Sequence, residues 1–239
     1  MTKIILVTGA SSGIGRAIAI ACAKSGYMVV LNGRNVARLE ETRAHMSGVG
    51  HYIIPADLTD NAQRQALVEQ VPVLNGVVHC AGIGSRVLCK MLEADDVQHV
   101  MEANFNAPVL LQAALLQEKK IAAGSSIVFI ASAAATMPSV GNAIYSASKA
   151  ALISYAKCLS LELAARMIRV NCISPAMVWT NLALVGATEE QLHVAEQAYP
   201  LKRYAQPEDI VPMATYLLGE ESGWVTGSNF ELTGGALTL

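Results

Sequence analysis

The chain has 239 residues, of which 53% are apolar and only 15% charged; this suits one α/β domain with strands buried on both faces, or a subunit that buries surface in an oligomer. The formal charge of −2 with no basic run argues against nucleic acid as a partner, and no apolar run reaches the roughly 18 residues of a membrane span. Five scattered cysteines without a CxxC pair and five histidines without ligand spacing predict reduced thiols, a cytoplasmic location and no metal site.

A short apolar run followed by a glycine-rich turn opens the chain. Residues 4–7 suit a buried strand rather than a signal peptide, because Gly9 follows at once, and residues 16–24 predict a helix that Gly26 ends. Glycines let the backbone approach a pyrophosphate, and a helix N-terminus offers free N–H groups. The spacing is GxxxGxG rather than GxGxxG, and an ordinary turn with three glycines is the alternative. The cofactor residues predicted here are Gly9, Ser11, Ser12, Gly13, Ile14 and Gly15.

The second predicted strand, residues 28–32, ends without an acidic residue. In a dinucleotide-binding fold an acid at this place bonds the ribose 2′-hydroxyl of NAD, whereas an arginine accommodates the 2′-phosphate of NADP. Here Arg34 follows Gly33, and a planar guanidinium suits a phosphate. We therefore expect NADP(H) to be preferred over NAD(H). The alternative is that Arg34 is a surface charge at the start of the next helix.

Two further strands are predicted over residues 51–57 and 76–80, with a short helix over residues 61–71 between them. The first strand closes where an adenine ring would lie in this kind of fold. The second strand runs into a turn of small residues that lets the backbone lie against a cofactor, although an ordinary linker would look similar. The cofactor residues predicted from these segments are Asp57, Leu58, Ala81 and Gly82.

A long helix is predicted over residues 95–118, and a fifth strand over residues 126–132. Asn104 lies within the helix; a buried amide there commonly just satisfies backbone groups. Ser132 lies at the carboxyl end of the strand, where ligands of open α/β sheets bind. It is therefore a candidate hydrogen-bond donor, with a plain end-of-strand hydroxyl as the alternative.

Tyr145 and Lys149 are spaced to share one face of the helix that follows a loop over residues 133–144. A free tyrosine has a pKa of about 10, and a neighbouring ammonium would lower it. Such a phenol could exchange a proton with substrate near neutral pH, as a general acid or base must. Taken alone the pair is a weak signal, because this spacing is common on solvated helix faces.

Together these residues resemble the short-chain dehydrogenase/reductase family over residues 2 to about 235. The resemblance is carried by Thr8-Gly9-x-x-x-Gly13-Ile14-Gly15, Asn104, Ser132 and Tyr145-x-x-x-Lys149. It implies a Rossmann-like, doubly wound α/β fold: a seven-stranded parallel sheet in the order 3-2-1-4-5-6-7, flanked by helices on both faces in three α/β/α layers. It also implies a single domain over residues 1–239, with a flap over the substrate at about residues 177–203.

The resemblance assigns a role to each candidate catalytic residue. Tyr145 protonates the developing alkoxide, Ser132 hydrogen-bonds the carbonyl oxygen, and Lys149 holds the ribose and lowers the tyrosine pKa. Asn104 holds a water that links Lys149 to solvent. Tyr145 and Lys149 thus also belong to the cofactor site, which Pro175, Val178 and Thr180 complete.

The chain departs from the family pattern at four positions. Cys80 replaces the asparagine of an Asn-Ala-Gly turn, and Ala176 replaces the glycine after Pro175. Thr233 replaces the usual acid before a glycine pair, and Ser12 stands where many NADP users carry a basic residue.

We expect an NADP(H)-dependent reductase that interconverts a ketone and a secondary alcohol, with the 3-oxoacyl thioester of a carrier protein as one candidate substrate. A hydroxysteroid or other small-alcohol dehydrogenase is the alternative, and a non-catalytic dinucleotide-binding sensor or scaffold is an alternative of another class. Arg166 matches a carrier-docking position of the family, whereas Ala123 does not match the second one.

The expected partners are a hydrophobic carbonyl substrate and further copies of the chain. The family pairs the helix over residues 95–118 and the helix after Tyr145 across twofold axes, which predicts a homotetramer. A hydrophobic substrate is predicted from the apolar residues Met137, Val140, Trp179, Leu182, Leu184, Val185, Leu192 and Tyr199.

Overall fold

The computed structural model describes residues 2–236, so the first residue and the last three of the predicted 1–239 domain lie outside the described residues. In the described range seven strands form one sheet with the order β3-β2-β1-β4-β5-β6-β7. Every pairing is parallel. This order confirms the fold that was predicted. The strands are β1 Ile4–Val7, β2 Met28–Gly33, β3 Tyr52–Pro55, β4 Leu74–His79, β5 Ile121–Ile130, β6 Arg169–Pro175 and β7 Asn229–Leu232.

Helices cover both faces of the sheet because consecutive strand residues point to opposite sides and both sides are apolar. In β1, Leu6 packs into a core with residues of α3, α5 and α6, whereas Ile5 and Val7 pack into a second core with residues of α1, α2 and α8. The helices are α1 Gly13–Lys24, α2 Val36–Ala44, α3 Asn61–Gln70, α4 Ala94–Met101, α5 Ala107–Gln117, α6 Ala143–Glu162, α7 Glu189–Glu196 and α8 Pro207–Leu218.

The helix predicted over residues 95–118 is two helices joined by a π-helical turn, Glu102–Asn106. In this turn Ala107 N donates to the carbonyl of Glu102, five residues back. Pro108 has no N–H to offer the Asn104 carbonyl, so a regular α-helical bond is lost at this place. The predicted helical stretch is therefore present, and its new feature is the wider turn inside it, which contains Asn104.

Three other predicted boundaries also differ from the structure. The first helix begins at Gly13, because the end of the glycine-rich turn is already helical. The strand β5 begins at Ile121, five residues earlier than predicted, because Leu74 pairs with Ile121 ahead of a register shift. The helix α6 begins at Ala143, inside the loop predicted over residues 133–144, so Tyr145 lies in its first turn.

Within residues 2–236 no helix combines the length and apolarity needed to span a membrane. The same residues contain no group of three or more His, Cys, Asp or Glu side chains that could hold a metal ion. All five cysteines are free thiols.

Candidate active site

The glycine-rich turn after β1 takes a path that only glycine allows at two of its positions. Gly9 has a φ of +66°, and a Cβ there would lie 2.9 Å from the Ala81 backbone nitrogen. A Cβ on Gly15 would lie 2.3 Å from the Gly9 carbonyl oxygen. Thr8 Oγ1 fixes the contact by accepting hydrogen bonds from Cys80 N at 3.0 Å and Ala81 N at 3.1 Å. The turn is thus held directly against the turn that follows β4.

The N-terminus of α1 is open toward this turn. Ser12, which precedes the helix, is extended and makes no side-chain hydrogen bond to it, so N–H groups of the first turn are left for an anion. Thr180 reaches the same place: its Cγ2 lies 3.0 Å from where a Cβ on Gly13 would be. Its hydroxyl donates to the Val178 carbonyl at 3.3 Å, in the segment that follows Pro175 at the end of β6. The structure therefore brings these predicted cofactor residues together.

Arg34 lies beside the carboxyl end of β2 with 74% of its side chain exposed. Its Nη1 is 3.7 Å from Asp57 Oδ2, a distance that gives only a weak exposed ion pair. Burial acts to raise the pKa of Asp57, but hydrogen bonds from Thr59 and the Arg34 charge together hold it below its usual value. Ser11 Oγ lies 3.4 Å from where a Cβ on Gly33 would be, and so borders the same region.

A groove of about 510 Å³ runs from Arg34 and Asp57 to the π turn. Its volume lies within the range of small-molecule sites, which is about 300–1,000 Å³. Leu58 forms part of the adjoining turn, and its carbonyl accepts a hydrogen bond at 2.7 Å from the buried guanidinium of Arg64. Together with the glycine-rich turn, these features fit a bound dinucleotide: a pyrophosphate at α1 and the adenosine end along this groove.

Asn104 is fully buried and ties the π turn to the loop after β4. Its Oδ1 accepts from Ile83 N at 2.8 Å, and its Nδ2 donates to Ile83 O at 3.0 Å and to Ser148 Oγ at 3.1 Å. The amide therefore does satisfy backbone groups, which was the alternative considered for it. Because Ser148 precedes Lys149, the same contacts position the turn beside the lysine.

Lys149 lies at the junction of β5, α6 and the turn after β4. Its Nζ donates to the Ile130 carbonyl at 2.9 Å and lies 5.9 Å from the centroid of the Tyr145 ring. A Cβ on Gly82 would be 3.4 Å from this Nζ and 3.0 Å from Asn104 Oδ1. The small residue at position 82 thus leaves room for the ammonium, and three predicted site residues meet around it.

Burial dominates the electrostatics of the pair. It raises the pKa of the Tyr145 phenol above its usual value, although a hydrogen bond with the Ser132 hydroxyl acts in the opposite direction. Burial also lowers the pKa of Lys149, from 10.5 to about 8. Burial thus outweighs the other influences on the phenol, and the expectation that Lys149 lowers the tyrosine pKa stays a prediction.

The flap segment, residues 177–203, contributes fewer cleft residues than predicted. Leu182 Cδ1 and Val185 Cγ2 lie 3.3 and 3.5 Å from where a Cβ on Gly84 would be, so they cover the loop after β4. Leu192 and Tyr199 pack inward, in a separate buried cluster with Tyr204 and Ala236. Val140 is 80% exposed. No sequence pattern indicated Arg86, which lies between this flap segment and the loop before Tyr145.

Comparisons with known proteins agree with this geometry. A family model described as enoyl-(acyl carrier protein) reductase matches residues 9–236. An L-xylulose reductase of Caenorhabditis elegans is 31% identical, over 98% of this chain and 95% of the relative. A 3-oxoacyl-(acyl-carrier-protein) reductase of Rickettsia felis is 30% identical, over 99% and 98%.

Two solved structures resemble this chain in fold, with a sequence identity like that of the two relatives. A short chain dehydrogenase/reductase family protein superposes with a TM-score of 0.88 and 31% identity, over 98% of this chain and 96% of the other. A crystal structure of a variant of actinorhodin polyketide ketoreductase with NADPH gives a TM-score of 0.90 and 29% identity, over 98% and 97%.

The buried Lys149 predicts a specific pH dependence of stability. Its native pKa of about 8 lies below the ordinary 10.5, so between these values the unfolded state keeps a proton that the native state has lost. Relative to Lys149→Met, the wild type should therefore gain free energy of unfolding as the pH rises from about 8 to 10.5, by roughly 3 kcal/mol at about 1.4 kcal/mol per pKa unit. Chemical denaturation across this range measures the difference.

The matched control is Lys157→Met, which removes an exposed lysine from the same helix. Its free energy of unfolding should change with pH in the same way as that of the wild type. A parallel profile for Lys149→Met as well would show that burial does not perturb the pKa of Lys149.

Proposed function

The chain belongs to the short-chain dehydrogenase/reductase family and is an oxidoreductase, and on that basis we propose that it interconverts a ketone and a secondary alcohol with NADP(H). The observation that carries the proposal is the meeting of Ser132, Tyr145 and Lys149 beside a turn built for a dinucleotide. A sensor or scaffold would need the turn but not these side chains. The family model's description names an enoyl substrate, whereas the two relatives are named for a sugar and a 3-oxoacyl group.

NADP(H), when bound, supplies or accepts the hydride, while the protein supplies position and proton. The residues that would hold it are the glycine-rich turn, the turn at Asp57 and Leu58, the turn at Ala81 and Gly82, and the segment from Pro175 to Thr180. Arg34 is the residue for a 2′-phosphate, because most of its side chain is free and its one acidic neighbour is 3.7 Å away. The NADPH in the ketoreductase structure supports this choice.

The proton chemistry follows from the atoms around the phenol. Ser132 Oγ accepts a hydrogen bond from Ala134 N at 3.2 Å and also bonds the Tyr145 phenol, so a substrate oxygen that binds between the two hydroxyls would take over the Ser132 hydrogen. Tyr145 keeps its proton until negative charge develops on that oxygen, and then donates it. Two donors thus face the developing charge.

Lys149 and Asn104 act behind the phenol. The ammonium would hold the cofactor ribose and return a proton toward Tyr145 after each turnover. The Asn104 carbonyl, which Pro108 leaves without its regular helical donor, is the acceptor that we propose for a water between Lys149 and solvent.

The preferred substrate has an apolar body. Leu182 and Val185 cover the loop after β4, which supplies apolar contacts for a ketone. Carrier docking has weaker support, because its basic side chains already bind the protein's own backbone. Arg166 donates to the Ile121 carbonyl, and Lys120, which lies near the second docking position at Ala123, donates through Nζ to the carbonyls of Glu69 and Val71. A small-alcohol dehydrogenase therefore stands beside 3-oxoacyl reduction as a candidate. The cytoplasmic location stays a prediction from the free thiols.

Replacing Tyr145 by Phe tests the reaction directly. The change removes only the hydroxyl, so NADPH should still bind within a few-fold of wild type, while ketone turnover should fall at least about 10²-fold, the usual scale for a lost general acid. Binding is measured by fluorescence of the reduced nicotinamide, and turnover by its absorbance.

Tyr155→Phe is the control for this variant. Tyr155 lies on the same helix but packs edge-on against Phe129 in the core, so its loss should leave turnover near wild type. Near-normal turnover of Tyr145→Phe would remove the phenol from the mechanism.

Cofactor preference is tested at Arg34. NADPH should bind at least about tenfold more tightly than NADH, because a charge-assisted phosphate contact contributes about 1.5–3 kcal/mol. Arg34→Ala should remove most of that difference without weakening NADH. Arg43→Ala, on the adjacent helix and paired with Glu40 at 2.6 Å, should leave it unchanged. Equal affinities of the wild type for both cofactors would contradict the assignment.

We also propose a homotetramer, with a dimer as the next candidate. Leu110 on α5 is 45% exposed and Leu161 on α6 is 79% exposed, on the helices that the family pairs across its twofold axes. Light scattering at micromolar concentration should give the mass of four chains. A monomer under these conditions would rule the assembly out.

A further inference from the structure

Arg86 joins the two segments that border the substrate side of the site. It lies in the loop after β4, where the next residue, Val87, donates its N–H to the Gly141 carbonyl at 2.8 Å. A Cβ on Gly141 would lie 3.1 Å from Arg86 Cγ, and a Cβ on Gly186 would lie 3.1 Å from Arg86 Cδ. Gly141 belongs to the loop before Tyr145, and Gly186 belongs to the flap segment.

Both glycines have positive φ values, +83° at Gly141 and +77° at Gly186. Their missing side chains leave a slot for the aliphatic part of Arg86, so two separate loops accommodate one cationic side chain. An arginine that served only solubility would not need its stem held on both sides.

The guanidinium has no hydrogen bond or ion pair with any residue in the described range 2–236. The nearby flap acid, Glu196, is already used: its oxygens accept from His193 Nδ1 at 3.0 Å, Trp179 Nε1 at 2.9 Å and Tyr204 N at 3.2 Å. Burial raises the pKa of Tyr204, with Glu196 acting in the same sense and Arg86 in the opposite one, which places both charges near this phenol. Arg86 is exposed, so its donors are free to bind a group from solvent beside the two loops that hold its stem.

We propose that Arg86 binds an anionic group of the substrate. The preferred ketone would then have an apolar body against Leu182 and Val185 and a carboxylate or phosphate at Arg86, since a guanidinium binds either anion through paired N–H groups. This substrate class rests on the proposed ketone reduction, and it makes Arg86 a specificity-determining residue rather than a participant in proton transfer.

The test uses matched ketones with NADPH: a keto carboxylate and its methyl ester, and a keto phosphate monoester and the corresponding free alcohol. Arg86→Met keeps the stem between the glycines and removes the charge. It should raise KM for the anionic ketones about tenfold or more while kcat and the values for the neutral ketones stay within about twofold. The pair with the larger change identifies the anion, and Arg86→Lys should recover part of the affinity. Lys90→Met, an exposed lysine after the same loop, should change none of these values.

Each other outcome decides against a particular claim. If Arg86→Met raises KM equally for anionic and neutral ketones, Arg86 has only a packing role. If the wild type prefers the neutral ketones, the inference is overturned while the proposed ketone reduction still stands. If no ketone is turned over, the proposed function fails. In that case, calorimetric titration of the keto carboxylate and of the keto phosphate monoester into wild type and Arg86→Met still decides the inference, with equal affinities of the two proteins for both compounds contradicting it.

Discussion

The site is organised around a buried ammonium. Lys149 is 5% exposed and donates to a backbone carbonyl, and its depressed pKa expresses the cost of keeping a cation away from water. Such a group needs space and oriented dipoles rather than packing. The space comes from Gly82, and the dipoles come from the end of β5 and from the π turn that contains Asn104. The position of Lys149 is thus set jointly by the sheet, by the helix α6 and by the turn that contains Gly82.

Much of this arrangement could be predicted from the sequence, because topology alone determines it. Parallel strands end at one edge, so the glycine turn, Ser132 and the segment after Pro175 converge there whatever the details of packing. The strand order and the family followed from the same residues. Cys80 departs from the family pattern without loss of the turn, since Thr8 Oγ1 binds the backbone there and needs no amide side chain.

Other features depended on information that spacing does not contain. The separation of Tyr145 and Lys149 shows that they share a helix face, but not that burial would raise the pKa of the phenol and lower that of the ammonium. Pro108 marked the break in the long helix, yet the apolar pattern continues across it. Arg86 gave no signal at all, because its position depends on two glycines, 55 and 100 residues further along the chain, that meet in space.

The π turn also limits which deletions the protein can tolerate. A wider turn is equivalent to one extra residue in a helix, and it persists because the flanking contacts hold it open. Deleting a single codon within residues 102–106 would let the segment close into an ordinary helical turn. The flanking helices would keep their relative rotation because the wide turn alone takes up the extra residue, but the side chains within the turn would change direction. Asn104 could not then reach both Ile83 and Ser148. Single-residue deletions in this short stretch should therefore be selected against, whereas surface loops tolerate deletions more easily.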